Sequence, residues 1–322
     1  MNHIPVIDIS ALGGGDQRAE DCVAEIMAAC RDIGFLCITG TGVDPALIER
    51  MRATVEEVFA VPEQEKWAQA ITPANYRGYI PLGFFTPNDG SGTPDRYEGY
   101  KLHAETDPQD PVRADCALYG PNLWPPQVPQ ARETVLAYWA AMDGIALRLL
   151  DALAEGLDLP KDSFRAAFSA PLTNMSLLHY PPQEPDAPGF GIHPHKDTDA
   201  LTIIAPDRVG GLEVRTPAGD WITPDCPEGG FVVNIGDMLE LWSGGRLVST
   251  PHRVLNRTGK ERYSFPYFAV PRHDVVVRPL LAPLPGFDRP EVHCGHWSAE
   301  VWRTNWVGQD AAEDTPELGT LH

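Results

Sequence analysis

An all-β core of the sandwich or barrel kind, flanked by helices, is the fold class that the sequence predicts. Three observations carry it. After residue 172 the chain breaks into many short β-type runs at near-regular spacing, separated by Gly, Pro and Asp turns, a texture that suits a sandwich or barrel better than a doubly wound sheet. The first third and the stretch 131–156 have helical periodicity instead. No internal repeat or low-complexity tract divides the 322 residues.

Taken in order, residues 17–33 place Val23, Ile26, Met27 and Cys30 on one helical face and stop at Gly34. The run Phe35 to Thr39 has the composition of a short buried strand, and 45–59 repeat the helical pattern through Leu47, Met51, Val55 and Val58. A long helix is expected over 131–156, with Val135, Tyr138, Trp139, Met142, Ile145, Leu149 and Leu153 in its apolar stripe. Strands are expected at 174–180, 200–204, 211–215, 230–235, 247–249, 252–257, 262–269 and 274–278. Residues 297–307 read as a helix, in which Trp297, Trp302 and Trp306 are core residues, and 311–322 as a flexible tail.

The composition narrows the function classes. Against 25 Lys and Arg stand 45 Asp and Glu, a formal charge of −20. That balance disfavours a grip on nucleic acid, which needs cations to displace counterions, and equally an anionic membrane surface. A small anionic substrate stays open, because one basic pocket suffices for it. No stretch reaches the roughly 18 apolar residues of a membrane span, and the N-terminus lacks the pattern of a secretory signal, so a cytoplasmic location is expected. Six cysteines, none in a CxxC pair, read as reduced, mostly buried thiols.

Chemistry concentrates in the β-rich half. His195-Lys196-Asp197 is followed, after a long gap, by His252. In an extended strand residues two apart point the same way, so His195 and Asp197 can converge on one ion, with His252 arriving from another strand of a jelly roll. Two imidazoles and a carboxylate on one face suit ferrous iron and leave coordination positions open. Ten residues beyond His252, Arg262 and Ser264 form a second i, i+2 pair; a guanidinium fork beside a hydroxyl is a receptor for a carboxylate. Iron beside a carboxylate receptor suggests a 2-oxo acid that chelates the metal at one end and is anchored at the other.

With these residues the sequence resembles the isopenicillin N synthase-like group of Fe(II)/2-oxoglutarate-dependent dioxygenases, along nearly the whole chain. IPVIDIS (4–10), ACRDIGFLCITGTGV (29–43), VPEQEKW (61–67) and YRGYIPLG (76–83) are similar to that family's N-terminal part. GPNLWPP, HYPP, HPHKDTDALTII, GGLEVRTPAGDWI, FVVNIGDMLELWSGGRLVSTPHRVLN and RYSFPYFAVP follow in the family's order and spacing. The resemblance implies a double-stranded β-helix, with residues 1–120 as a helical and mixed N-terminal region packed on a catalytic core at 121–310. It implies His195, Asp197 and His252 as iron ligands, and Arg262 and Ser264 with the Tyr180 hydroxyl as partners of the distal carboxylate of 2-oxoglutarate. It further implies O2 as oxidant, a small organic substrate that is hydroxylated, desaturated or cyclised in secondary metabolism, and a monomer or weak homo-oligomer. Phe84, Phe85, Tyr97, Tyr100 and His193 are expected in the substrate pocket.

Two departures from the family stand out: Leu178 replaces an Asn common near the keto-acid end of the cosubstrate, and Gly244 replaces a turn Asn. Asp237 reads as a residue closing a turn through its own side chain. Three alternatives compete: an oxidase of the same fold that uses O2 without 2-oxoglutarate and grips a substrate carboxylate with Arg262 and Ser264, a binding module without metal, and a zinc hydrolase, which would usually have a more nitrogen-rich ligand set.

Overall fold

The computed structural model describes residues 3–72, 74–86, 93–184 and 188–304, with side chains to 301. Strand β1 (Val6–Asp8) leads into helix α1 (Gln17–Asp32), strand β2 (Phe35–Thr39), helices α2 (Pro45–Ala60) and α3 (Glu63–Trp67), strands β3 (Gly78–Ile80) and β4 (Glu98–His103), and helices α4 (Val112–Asp115) and α5 (Ala131–Gly156). The β-rich half runs through β5 (Asn174–Tyr180), β6 (Ile192–His195), β7 (Leu201–Ile204), β8 (Leu212–Arg215), β9 (Trp221–Ile222) and β10 (Phe231–Ile235). Helix α6 (Asp237–Trp242) separates these from β11 (His252–Val254), β12 (Arg262–Ser264), β13 (Tyr267–Ala269), β14 (Val276–Val277) and β15 (Val292–His293), before α7 (Cys294–Thr304).

Helix boundaries follow local chemistry. Asp16 caps α1 by accepting from the Ala19 N–H, and Asp44 caps α2 by accepting from Ala46, with Pro45 pre-set at the first helical position. Helix α1 ends where Gly34, at φ +66°, donates its N–H back to the Ala29 carbonyl. The apolar stripe of α5 is buried as its period demands, against α1, α2 and strands β7 and β13.

Two sheets form the jelly roll. The larger runs β1-β2-β10-β7-β13-β5-β4-β3, with β12 also on β5, and the smaller runs β6-β11-β8-β9. Only β1 and β2 pair in parallel among these strands. Four strands from the first 120 residues belong to the larger sheet, so the N-terminal part extends the core sheet as well as covering it. Leu178, Tyr180 and Val254 form a small apolar cluster in which the two sheets face each other.

Three expected strands change form. Residues 247–249 are not a strand, because the Val248 N–H bonds to the Cys30 carbonyl at the end of α1 rather than to a neighbouring strand. The run 262–269 splits into β12 and β13 around Phe265-Pro266, since proline has no N–H for the ladder. Residues 252–257 stop at Val254, beyond which Asn256 Nδ2 donates to the carbonyls of Tyr180, Pro181 and Lys260 and pins a turn. Asp237 does not close a turn through its own side chain. It opens α6 and its carboxylate faces Arg289 at 3.4 Å. Gly244 lies in the turn after that helix at φ +63°.

The thiols are free, five buried and Cys226 partly exposed. Trp297 packs against the core, while Trp302, Trp306 and the tail 311–322 lie outside the described side chains. Among the described residues no helix is long and apolar enough to cross a membrane.

Candidate active site

The small sheet sets His252 on β11 directly opposite His195 on β6, with their rings 4.3 Å apart between centroids. Asp197 follows β6 by two residues, and its Oδ1 lies 3.6 Å from His195 Nε2 and 3.7 Å from His252 Nε2. One ligand atom from each residue lies within 4.8 Å of the others, a spacing that could hold a metal ion. Each imidazole is oriented from behind: His195 Nδ1 donates to the His193 carbonyl at 2.8 Å, and His252 Nδ1 to the Thr250 carbonyl at 3.2 Å. Because a carbonyl only accepts, these bonds put the proton on Nδ1 and leave the Nε2 lone pairs facing Asp197.

The carboxylate is held as firmly. Asp197 Oδ2 accepts from Asn234 Nδ2 at 2.8 Å and from the Thr202 hydroxyl at 2.6 Å, which leaves Oδ1 for the histidine side. Burial opposes the charge of Asp197 most, but the two histidines and these hydrogen bonds outweigh it and hold the carboxyl below its ordinary range. Burial, then the neighbouring His252, pushes the His195 imidazole down, toward the neutral form a metal requires. The Thr202 hydroxyl also lies 2.9 Å from Asp199 Oδ2, and one proton cannot serve both acids. Burial, then the charge of Asp197, raises the Asp199 carboxyl well above its ordinary value.

His193 is tied down rather than loose. Asp95 Oδ1 accepts from the His193 backbone N–H at 2.9 Å and stands 2.6 Å from its Nδ1, and both residues are buried. Since the His193 carbonyl orients His195, Asp95 braces the strand that carries His195 from outside it.

Strand β12 lies on β5 with Arg262 opposite Tyr180 and Ser264 opposite Leu178. Arg262 is 5% exposed; its Nε donates to the Gly210 carbonyl at 2.7 Å and lies 2.8 Å from Asp207 Oδ2. The guanidinium stacks 4.6 Å over the Tyr180 ring, and its Nη1 is buried without a hydrogen-bond partner. A buried, unsatisfied guanidinium nitrogen is costly, and a bound carboxylate would satisfy it, so this receptor fits the distal end of 2-oxoglutarate. Burial pushes the Tyr180 hydroxyl up to about 12, so it carries its proton and can donate. Leu178 contributes only apolar surface.

Two cavities adjoin His195. One of about 360 Å³ is lined by Tyr76, Lys101, Asn174, Asp199, Phe268 and Trp297, among others. The second, of about 310 Å³, has Phe85, Tyr97, His193, Leu178 and again Lys101 in its wall. Phe84 packs edge-on against Phe85, 5.0 Å away. Tyr100 does not face the cavities. Strand alternation turns it to the other face of the sheet, where it is buried in the main core and its hydroxyl donates to Gln69 Oε1, and the neighbouring Lys101 faces the cavities in its place. Sequence reasoning missed Lys101, Asn234, Thr202, Asp95 and Asp207. Once β4 is recognised as a strand, period two would find Lys101, whereas the others depend on pairing between distant strands.

Residues 4–127 match the family described as the non-haem dioxygenase in morphine synthesis N-terminal domain, and residues 172–271 match the 2OG-Fe(II) oxygenase superfamily. A 2-oxoglutarate-dependent dioxygenase of Trichoderma harzianum is 33% identical over 272 residues, covering 81% of this chain and 82% of its own. The structure of JOX2 in complex with 2OG, Fe and JA superposes with a TM-score of 0.77 at 28% identity, over 97% of this chain and 89% of that one. The rice dioxygenase for auxin oxidation gives a TM-score of 0.72 at 29% identity, over 97% and 99%. The chain belongs to the Fe(II)- and 2-oxoglutarate-dependent dioxygenase family. It is an oxidoreductase that uses Fe(II), 2-oxoglutarate and O2 to oxidise a small organic substrate. The same relatives favour this reaction over an oxidase working without 2-oxoglutarate.

Proposed function

We propose that His195, Asp197 and His252 hold the iron, that Arg262 and Ser264 with the Tyr180 hydroxyl hold the distal carboxylate of 2-oxoglutarate, and that the cavities beside His195 take the prime substrate. The observation that carries the reading is the convergence of three ligand atoms within 4.8 Å, each residue already braced on its far side. Iron with its cosubstrate supplies O2 activation coupled to decarboxylation of 2-oxoglutarate to succinate and CO2, chemistry that belongs to the cofactor.

The chain's part is positioning. Asn234 and Thr202 restrict Asp197 to one oxygen toward the metal, while the Nδ1 bonds of both histidines fix their lone pairs inward. Arg262, with its charge balanced by Asp207, anchors a dianionic cosubstrate inside the apolar walls of Tyr180 and Leu178. Phe85, Tyr97 and Phe268 exclude water and align one C–H bond of the substrate. The compartment is the cytoplasm, and the protein acts as a monomer or weak homo-oligomer in secondary metabolism.

The test is anaerobic addition of Fe(II) and 2-oxoglutarate, followed by oxygenation with candidate substrates. A weak visible charge-transfer band and succinate formed in step with product are expected. Product formation without succinate, or a band unaltered in His252→Ala, would overturn the assignment.

A further inference from the structure

Lys101 lies outside the residues assigned above to the iron and to the distal carboxylate of the cosubstrate. On β4 it is in register with Ser176 on β5, and it lines both cavities beside His195. Its ammonium donates to Asn174 Oδ1 at 2.6 Å and to the Ser176 hydroxyl at 3.1 Å, and it lies 5.0 Å over the Phe268 ring. Both hydrogen-bond partners are neutral. An ammonium has three N–H donors, so one remains, and among the described residues no carboxylate comes within ion-pairing distance. Lys196, the other cation in the larger cavity, differs: it is more exposed and faces Glu240 at 3.6 Å.

A cation held in such a wall, hydrogen-bonded only to neutral groups, costs desolvation that an anionic ligand would offset, since the Asp199 and Asp197 carboxylates in the same wall act on it from beyond ion-pairing distance and counter that cost only in part. Burial pushes the ammonium down to about 8, against the opposing pull of Asp199 and Asp197. Around it the larger cavity is mixed: Tyr76, Leu118, Leu172, Val270 and Trp297 form an apolar part of its wall, and Asp197, Asp199 and Lys196 a charged part. We infer that Lys101 is the receptor for a carboxylate on the prime substrate, and that this enzyme takes small carboxylic acids with an apolar or aromatic body.

Register separates this receptor from the cosubstrate's. Arg262 lies opposite Tyr180, whereas the Lys101 ammonium contacts Asn174 and Ser176, four and six residues back along β5. At about 3.3 Å per residue those strand positions are roughly 13–20 Å apart, so the two cations belong to separate stretches of the sheet. The inference rests on the iron and 2-oxoglutarate assignment above, and it names the substrate class for that site.

The experiment compares the native protein with Lys101→Met, both loaded anaerobically with Fe(II) and 2-oxoglutarate. Binding of phenylacetate, indole-3-acetate and trans-cinnamate is measured against their methyl esters by quenching of tryptophan fluorescence. In the native protein at least one acid is expected to bind about tenfold or more tighter than its ester. In Lys101→Met that preference collapses to near one, while the visible band titrates with 2-oxoglutarate as in the native protein. Equal binding of acids and esters by the native protein overturns the proposal, as does a preference that survives in Lys101→Met. A variant that loses the band but keeps the acid preference would assign Lys101 to the cosubstrate and also overturn it. Absence of the band in the native protein is a separate signal, a failure of the iron and cosubstrate assignment, and the proposal falls with it.

Discussion

Asn234, in the middle of the larger sheet, donates its side-chain amide across to Asp197 Oδ2 at 2.8 Å and so ties that sheet to the segment that follows β6 of the smaller one. Asn234 is only 1% exposed, and its partner is the one anionic member of the triad. Replacing it with leucine removes a hydrogen bond to a buried carboxylate and frees that carboxylate to rotate. Iron affinity in Asn234→Leu is expected to fall about 10–100-fold, with the fold retained. Competition with a ferrous chelator measures it, and an unchanged affinity would show that Thr202 alone suffices.

Arg262→Lys tests the cosubstrate receptor while keeping a charge beside buried Asp207. A lysine cannot reproduce the planar fork, so about 1.5–3 kcal/mol of binding should be lost, roughly 10–100-fold in the KM for 2-oxoglutarate. Thermal unfolding run in parallel separates this from damage to the Asp207 pair. A KM within twofold of the native value would remove Arg262 from the site.

The pH dependence of stability should carry a signature of His179. Its Nδ1 faces Glu98 Oε1 at 2.7 Å and its Nε2 faces Glu261 Oε2 at 2.5 Å, and only the imidazolium donates from both nitrogens. Burial opposes that charge most, but the two glutamates outweigh it and raise the imidazole above its ordinary 6.5. A raised folded pKa means stabilisation that is fully present below 6.5 and lost as pH rises through the folded value. Glu98, held low by His179, Lys66 and Tyr79 against its burial, contributes in the opposite sense, above its ordinary 4.5. The stability gap between the native protein and His179→Gln should therefore narrow from pH 6 to pH 9 in urea titrations. A gap that is constant or widens would refute the doubly bonded imidazolium.

Gly34 joins α1 to β2 in the left-handed region, and a Cβ there would stand 1.9 Å from the Val248 carbonyl oxygen. Conformation and clash together should make Gly34→Ala destabilising by about 2 kcal/mol or more. Ala or Ser at Gly13, which has positive φ but nothing within 4 Å, should cost less. Equal unfolding midpoints for the two alanine variants would contradict the close approach at Gly34.

Much of this was legible in the residues themselves. Helices α1, α2 and α5 follow from apolar spacing and from the caps Asp16 and Asp44, which act within a turn of their own position. His195 and Asp197 share a side because a strand has period two, and Arg262 and Ser264 repeat that logic. Harder to read were β4 and β6: the first interrupts its apolar residues with Glu98 and Lys101, and the second is IHPH. Their strand form comes from pairing with β5 and β11 rather than from propensity.

The sequence by itself determined the donor types, their local spacing and the helices that cover the sheet, because those depend on neighbours a few residues away. Tertiary structure decided that Lys101 and not Tyr100 faces the cavity, and that Asn234, Thr202 and Asp207 brace the charged groups. The physical reason is register: a strand's alternation is local, but which of its two faces turns inward is set only when a distant strand pairs with it.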